Sequence, residues 1–125
     1  MSFSKINELL FEFSLYEKIE ILGRGTSIGK KKKKARAIVV NSIKDLEGNF
    51  ETKDIIVCKS TNEKMISFME RSSGFVTEEA GFTSNGAVSA ISLDKMAIVG
   101  VKDITAKIKT GDIITIDGID GTVRR

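Results

Sequence analysis

The chain has no histidine, no proline and no tryptophan, and one cysteine among its 125 residues. The missing histidine excludes the most. Ser-His-Asp and Cys-His nucleophile pairs, imidazole proton shuttles and histidine-ligated metals all need a side chain that is not here. A single cysteine can neither close a disulfide within the chain nor build a structural zinc site. Cys58 follows the apolar run Ile55-Ile56-Val57, which predicts an inert, buried thiol and a reducing compartment. Met1-Ser2-Phe3-Ser4-Lys5 lacks a signal-peptide pattern, and no apolar run approaches the ~20 residues of a membrane-spanning helix. The expected setting is the cytoplasm, with no membrane partner. Carboxylates, lysines and hydroxyls remain, and they form no catalytic constellation, so no cofactor, metal or catalytic residue is expected.

Charge of one sign is also scarce once its location is counted. The formal net charge is +3, with 20 basic and 17 acidic residues. Lys30, Lys31, Lys32, Lys33, Lys34 and Arg36 account for six of the basic residues, so the remainder is mildly acidic, with 14 basic against 17 acidic. The basic character is one local tract. It could meet phosphate backbones or acidic headgroups through counterion release, but no aromatic residue interleaves it to stack bases. A solvated, mobile hairpin tip is the expectation, and nucleic acid is not the expected partner.

The periodicities that are present predict an α/β chain. Ile6, Leu9, Leu10 and Phe13 fall at helical spacing after Ser4, which predicts a helix over 4–13 whose apolar face wants a partner. Strands are predicted over 16–23, 35–41, 54–59, 74–77, 97–101 and 113–116, the last turning through Gly118 and Gly121 into Thr122-Val123. Between them, Ser60 with Glu63 three residues later has the spacing of a capping box and predicts a helix to Ser72. Ser84 caps a second helix over about 85–93. Strands alternating with helices in the middle, and paired strands at both ends, predict a mixed sheet.

Three local motifs compete for a functional reading. Gly23-Arg24-Gly25-Thr26-Ser27-Ile28-Gly29-Lys30 approaches two phosphate-binding loops and fits neither. The third glycine is one residue late for a dinucleotide fingerprint, while Arg24 and Lys31 stand where a P-loop needs Gly and Ser or Thr. A plain turn is expected. Glu78 and Glu79 are adjacent and should point to opposite sides of an extended segment, poor geometry for an acid/base pair. The third motif is Thr83-Ser84-Asn85-Gly86-Ala87, which gathers hydroxyls, an amide and small residues at a helix start. Free N–H groups and the positive dipole end meet there, although capping alone also explains such residues.

The block Thr77-Glu78-Glu79-Ala80-Gly81-Phe82-Thr83-Ser84-Asn85-Gly86-Ala87-Val88 resembles a known signature. Phosphoenolpyruvate-utilising enzymes carry a mobile domain with the pattern Gly-Gly-x-Thr-Ser-His-Ala-Ala, and many bacterial pyruvate kinases carry a similar C-terminal extension. The extension is the better match: Asp54-Ile55-Ile56-Val57 with Lys59-Ser60-Thr61, Ser92-Leu93 with Ile98-Val99-Gly100-Val101, and Thr115 to Gly118 resemble its other segments. The resemblance covers about 24–125. It implies a swivelling β/β/α domain over 24–125, with 1–23 the helix and strand ending whatever precedes it. It also implies a structural or regulatory role beside a pyruvate kinase barrel, where phosphoenolpyruvate and ADP become pyruvate and ATP. A (β/α)₈ barrel takes ~250 residues and cannot lie in this chain.

Two departures matter. Ala80 replaces the first glycine, and Asn85 stands at the histidine position. An imidazole lone pair can attack phosphorus, whereas the lone pair of an amide nitrogen is delocalised into its carbonyl, so Asn85 cannot carry phosphate covalently. Catalytic pyruvate kinase domains or self-association are the expected partners. Thr83, Ser84, Asn85 and Gly86 are the candidate anion-binding residues, for phosphate or sulfate. An anion-sensing module and a nucleic-acid binder using Lys30–Lys34 stay open as alternatives.

Overall fold

A computed structural model describes residues 19–125. The helix expected over 4–13, and the opening residues of the strand expected over 16–23, lie outside the described residues. The elements run β1 (Ile21–Arg24), β2 (Thr26–Ile28), β3 (Lys32–Val40), α1 (Ile43–Asn49) and β4 (Ile55–Cys58). A 3-10 turn (Glu63–Met65) leads into α2 (Ile66–Arg71), followed by β5 (Gly74–Thr77), α3 (Asn85–Leu93) and β6 (Ala97–Val99). α4 (Ile104–Lys107), β7 (Ile113–Asp117) and β8 (Thr122–Arg124) complete the chain.

The strands form one mixed sheet in the order β1-β8-β7-β3-β4-β5-β6-β2. β3 through β6 are parallel, and every other pairing is antiparallel. β1 and β2 stand at opposite ends of that order, yet only Gly25 separates them in the chain. The sheet must therefore fold back on itself, and its two halves face each other. β3 serves both: Lys32 to Arg36 pair with β7, and Ala37 to Val40 pair with β4.

Period-two alternation sorts the core into two layers. Ala37, Ile55, Val57, Val76 and Ile98 turn toward Leu22, Ile114, Ile116 and Val123 of the antiparallel half. Ile38, Val40, Ile56, Cys58, Phe75, Ala97 and Val99 turn the other way and meet Leu46, Met65, Met69, Ala87 and Ala90 from the helices. Each fully buried large side chain contributes about 1.5–3 kcal/mol, so the parallel strands, apolar on both faces, contribute a large share of the stability. The result is a β/β/α stack, the expected swivelling-domain architecture. Among the described residues no helix is long and apolar enough to cross a membrane.

Several local expectations need correction. The lysine tract is not a mobile tip: Lys32, Lys33 and Lys34 lie in β3 opposite Asp117, Ile116 and Thr115. Lysine is a poor strand former, but the ladder to β7 overrides intrinsic preference. The segment expected to turn after Arg24 contains β2, paired with β6. Ser60 is not the cap; Asn62 is, its side-chain oxygen accepting from Lys64 N at 3.0 Å. α1 was hidden by Gly48-Asn49, and its start is fixed by Asp45, which accepts from Asn41 N and Ser42 N at 2.8 and 3.1 Å.

The glycine-rich turn has a steric purpose. Gly25 N donates to Gly121 O at 2.9 Å, and a Cβ on Gly25 would stand 2.3 Å from Val99 O. Glycine is required where the chain passes from one half of the sheet to the other; no phosphate loop is formed.

Candidate functional site

The candidate residues gather at the carboxyl end of β4 and β5, the edge of a parallel sheet where loops and helix starts converge. β5 continues past Thr77, with Glu78 N and Glu79 N donating to Cys58 O and Lys59 O at 3.2 and 2.9 Å. The chain then loops through Ala80–Thr83 into α3. Ser84 is the N-cap, extended in backbone, and its Oγ accepts from Ala87 N at 3.3 Å and donates to Gly81 O at 2.8 Å. Thr83 is exposed in the loop. Gly86 is buried, and a Cβ there would meet the Thr77 methyl at 2.9 Å, so the first turn of α3 lies directly on β5.

The adjacent glutamates diverge, as adjacency requires. Glu78 turns to α4, its Oε2 accepting from Thr105 N at 3.0 Å and Thr105 Oγ1 at 2.5 Å. Glu79 turns to α3, where its Oε1 accepts from Asn85 N at 3.2 Å. A carboxylate at a helix N-terminus is favoured by the dipole and by the unpaired N–H groups. In this chain, then, an internal anion already sits at the start of α3. The sequence held Glu79, but nothing local assigned it to this helix.

Asn85 reaches sideways, its Nδ2 donating weakly to Thr61 O at 3.4 Å. Asn85 and Thr61 line a cleft of about 270 Å³ with Asn62, Glu63, Ile66, Val88 and Ser89. Glu63 is the one charged side chain in that lining. Thr61 is only 2% exposed, and its hydroxyl has no hydrogen-bond partner. Sequence reasoning placed Thr61 in a helix start and missed its role in this wall, because its contact with Asn85 spans 24 residues. The field here is negative. Burial first, then Glu78 and Glu79, push the Cys58 thiol up to about 12. Among the described residues no cluster of three or more His, Cys, Asp or Glu side chains could hold a metal ion.

Apolar groups surround this edge. Phe82, Val88 and Ile91 are 65%, 50% and 63% exposed, and Ile66 shares the cleft with Val88. Val88 and Ile91, three residues apart on α3, lie on one side of the helix.

The family model for the mobile domain of PEP-utilising enzymes matches residues 50–121. The pyruvate kinase of Geobacillus stearothermophilus is 35% identical over 106 residues, covering 85% of this chain and 18% of that protein. The chain spans only 16–19% of the length of the pyruvate kinases it matches. A solution structure of enzyme I superimposes with a TM-score of 0.51 at 29% identity, over 65% of this chain and 36% of that one. The crystal structure of aconitase X from Thermococcus kodakaraensis gives a TM-score of 0.60 at 20% identity, over 81% and 95% of the two chains, a likeness of fold alone.

Proposed function

The chain belongs to the mobile-domain family of PEP-utilising enzymes, and from that membership we propose that it is a non-catalytic structural or regulatory module working beside the catalytic domains of a pyruvate kinase. In this reading Asn85 occupies the position of a phospho-acceptor, and the chain transfers no phosphoryl group. The observation that carries it is the start of α3, where a carboxylate and a hydroxyl take two of the first three N–H groups. The Asn85 N–H is held by Glu79, and the Ala87 N–H by Ser84. An amide side chain cannot become a phosphoramidate, and histidine is absent from the whole chain. Thr83, Ser84, Asn85 and Gly86 then serve chiefly as a helix cap; anion binding by these residues would require the Glu79 carboxylate to move aside.

What remains for this edge is docking. Phe82, Val88 and Ile91 are exposed apolar side chains at this edge, Val88 also lining the cleft with Ile66 and Asn85, and the relatives are several times longer than this chain. A catalytic domain of such a longer enzyme is the occupant proposed for this surface.

The test has two arms. Incubation with phosphoenolpyruvate and a phosphoenolpyruvate-dependent phosphotransferase should leave the intact mass unchanged; an acid-labile phosphoryl adduct would overturn the non-carrier role. Titration against a pyruvate kinase stripped of its own mobile domain should show association that Val88→Glu/Ile91→Glu abolishes. Both positions are exposed, so the variant should keep its circular dichroism spectrum. Association unaffected by the double substitution, or none at all, removes the docking role.

A further inference from the structure

The lysine tract, which the docking role leaves unused, is divided by its own strand. Side chains alternate across a sheet. Lys32 and Lys34 emerge on one face near Arg124 and Arg125, whereas Lys31 and Lys33 emerge on the other. There they line a cleft of about 500 Å³ with Lys53, Arg71 and Lys95. Those residues precede β4, end α2 and precede β6 respectively, so the cleft sits at the amino ends of the parallel strands. It lies at the opposite edge from Asn85.

Five cations share this wall with two carboxylates, Glu70 and Asp94. The surplus of three equals the formal net charge of the entire chain, +3, so the rest of the molecule is balanced. Arg36, Arg124 and Arg125 each pair with carboxylates, but among the described residues Lys31, Lys33, Lys53, Arg71 and Lys95 form no ion pair. Convergent like charges raise the free energy of the folded chain unless a counter-charge joins them.

The side chains of Lys95 and Arg71, and the backbone of Lys53, are held in place. Lys95 Nζ donates to Ser72 O at 3.0 Å. The Arg71 guanidinium lies 5.4 and 5.1 Å from the Phe50 and Phe68 ring centres, with its Nε on Ser67 O at 3.1 Å. Lys53 adopts φ +74°, a left-handed conformation that a lysine seldom takes. Its backbone is pinned by Lys53 N donating to Arg71 O at 2.8 Å and by Ser73 Oγ donating to Lys53 O at 2.6 Å. Helix dipoles account for part of this charge, since Arg71 and Lys95 lie at the carboxyl ends of α2 and α3. They do not account for Lys31, Lys33 or Lys53, which belong to no helix.

We infer that this cleft binds a compact anion bearing two or more phosphate groups. Its volume falls in the range of small-ligand sites. Single-stranded nucleic acid would need a track with stacking platforms, and the two aromatic rings nearby are covered by Arg71. The inference is independent of the role of α3.

Tripolyphosphate is the probe, titrated into the whole chain and followed by calorimetry and amide chemical shifts. Shifts should concentrate at residues 31–33, 52–54, 71–73 and 94–96, and orthophosphate should bind more weakly. Lys31→Gln/Lys33→Gln should lower affinity at least tenfold. Lys32→Gln/Lys34→Gln removes the same charge from the other face and should change affinity less than twofold. Equal losses from the two pairs, shifts spread over both faces, or no binding at millimolar probe would overturn the inference. So would an oligonucleotide binding more tightly than tripolyphosphate. Should the first pair fail to fold, Lys53→Asn, which suits the left-handed backbone, must still weaken binding at least fivefold.

Discussion

Replacing Thr61 by valine tests the reading of the Asn85 cleft at a single atom. Thr61 is 2% exposed, and its Oγ1 is buried without a partner. An unpaired buried hydroxyl costs about 1–3 kcal/mol. Valine keeps the branched shape and one methyl, removes that cost, and adds a buried methyl worth up to about 0.8 kcal/mol. Slight crowding from the larger group offsets some of this. The net expectation is a gain of about 1–2 kcal/mol, which raises the melting temperature by several degrees in a domain of this size. The chain lacks tryptophan, so urea unfolding is best followed by far-ultraviolet circular dichroism, reading the midpoint at unchanged slope. Thr61→Ser keeps the hydroxyl and loses the methyl, and should be destabilised by about 1 kcal/mol. A valine variant that is less stable by 1 kcal/mol or more would mean that the hydroxyl is well partnered in solution, and the reasoning fails. A valine variant that is more stable yet docks less well would mark the hydroxyl as kept for a partner.

Two further outcomes follow from single positions. Gly25→Ala should destabilise by about 3 kcal/mol or more, because its Cβ would stand 2.3 Å from Val99 O and the backbone has to move. Gly48→Ala, in α1 with nothing within 4 Å of the added carbon, should instead stabilise by about 0.5–1 kcal/mol. Equal effects in chemical denaturation would refute the assigned role of Gly25. Cys58 is 2% exposed with its thiol pushed up to about 12, so at pH 8 only about one molecule in 10⁴ would hold thiolate. A disulfide reagent at that pH should label it only as fast as the chain unfolds; rapid stoichiometric labelling of the native protein would refute its burial.

Much of the middle of the chain was legible from short-range pattern. The apolar runs at Ile55–Cys58 and Ala97–Val99 read as strands and are buried throughout, and Ser84, the candidate cap, does cap the helix that follows it. The antiparallel start was harder to read. β2 reads locally as a turn because glycines flank it, although Ser27 Oγ donates to Gly118 O, 91 residues away. Lys32–Lys34 read locally as a loose tip because lysine seldom favours strands, and only the facing residues of β7 place them in the ladder. α1 is masked in the sequence by Gly48 and Asn49, which suggest a break, whereas the deciding bonds come from Asp45.

The candidate site divides in the same way. Absence is a property of composition, so the sequence by itself excluded a phosphohistidine, a disulfide and a histidine-bound metal. Residue chemistry also settled that Asn85 cannot accept a phosphoryl group. Tertiary structure alone decided what meets Asn85. Glu79 comes from beyond the end of β5, and Thr61 from the loop after β4. Tertiary structure likewise split one run of lysines between two faces and gathered half of it with Lys53, Arg71 and Lys95. The reason is range. Periodicity and capping act over a few residues and are written locally, whereas charge and hydrogen bonding at a site depend on which distant segments the sheet order brings side by side.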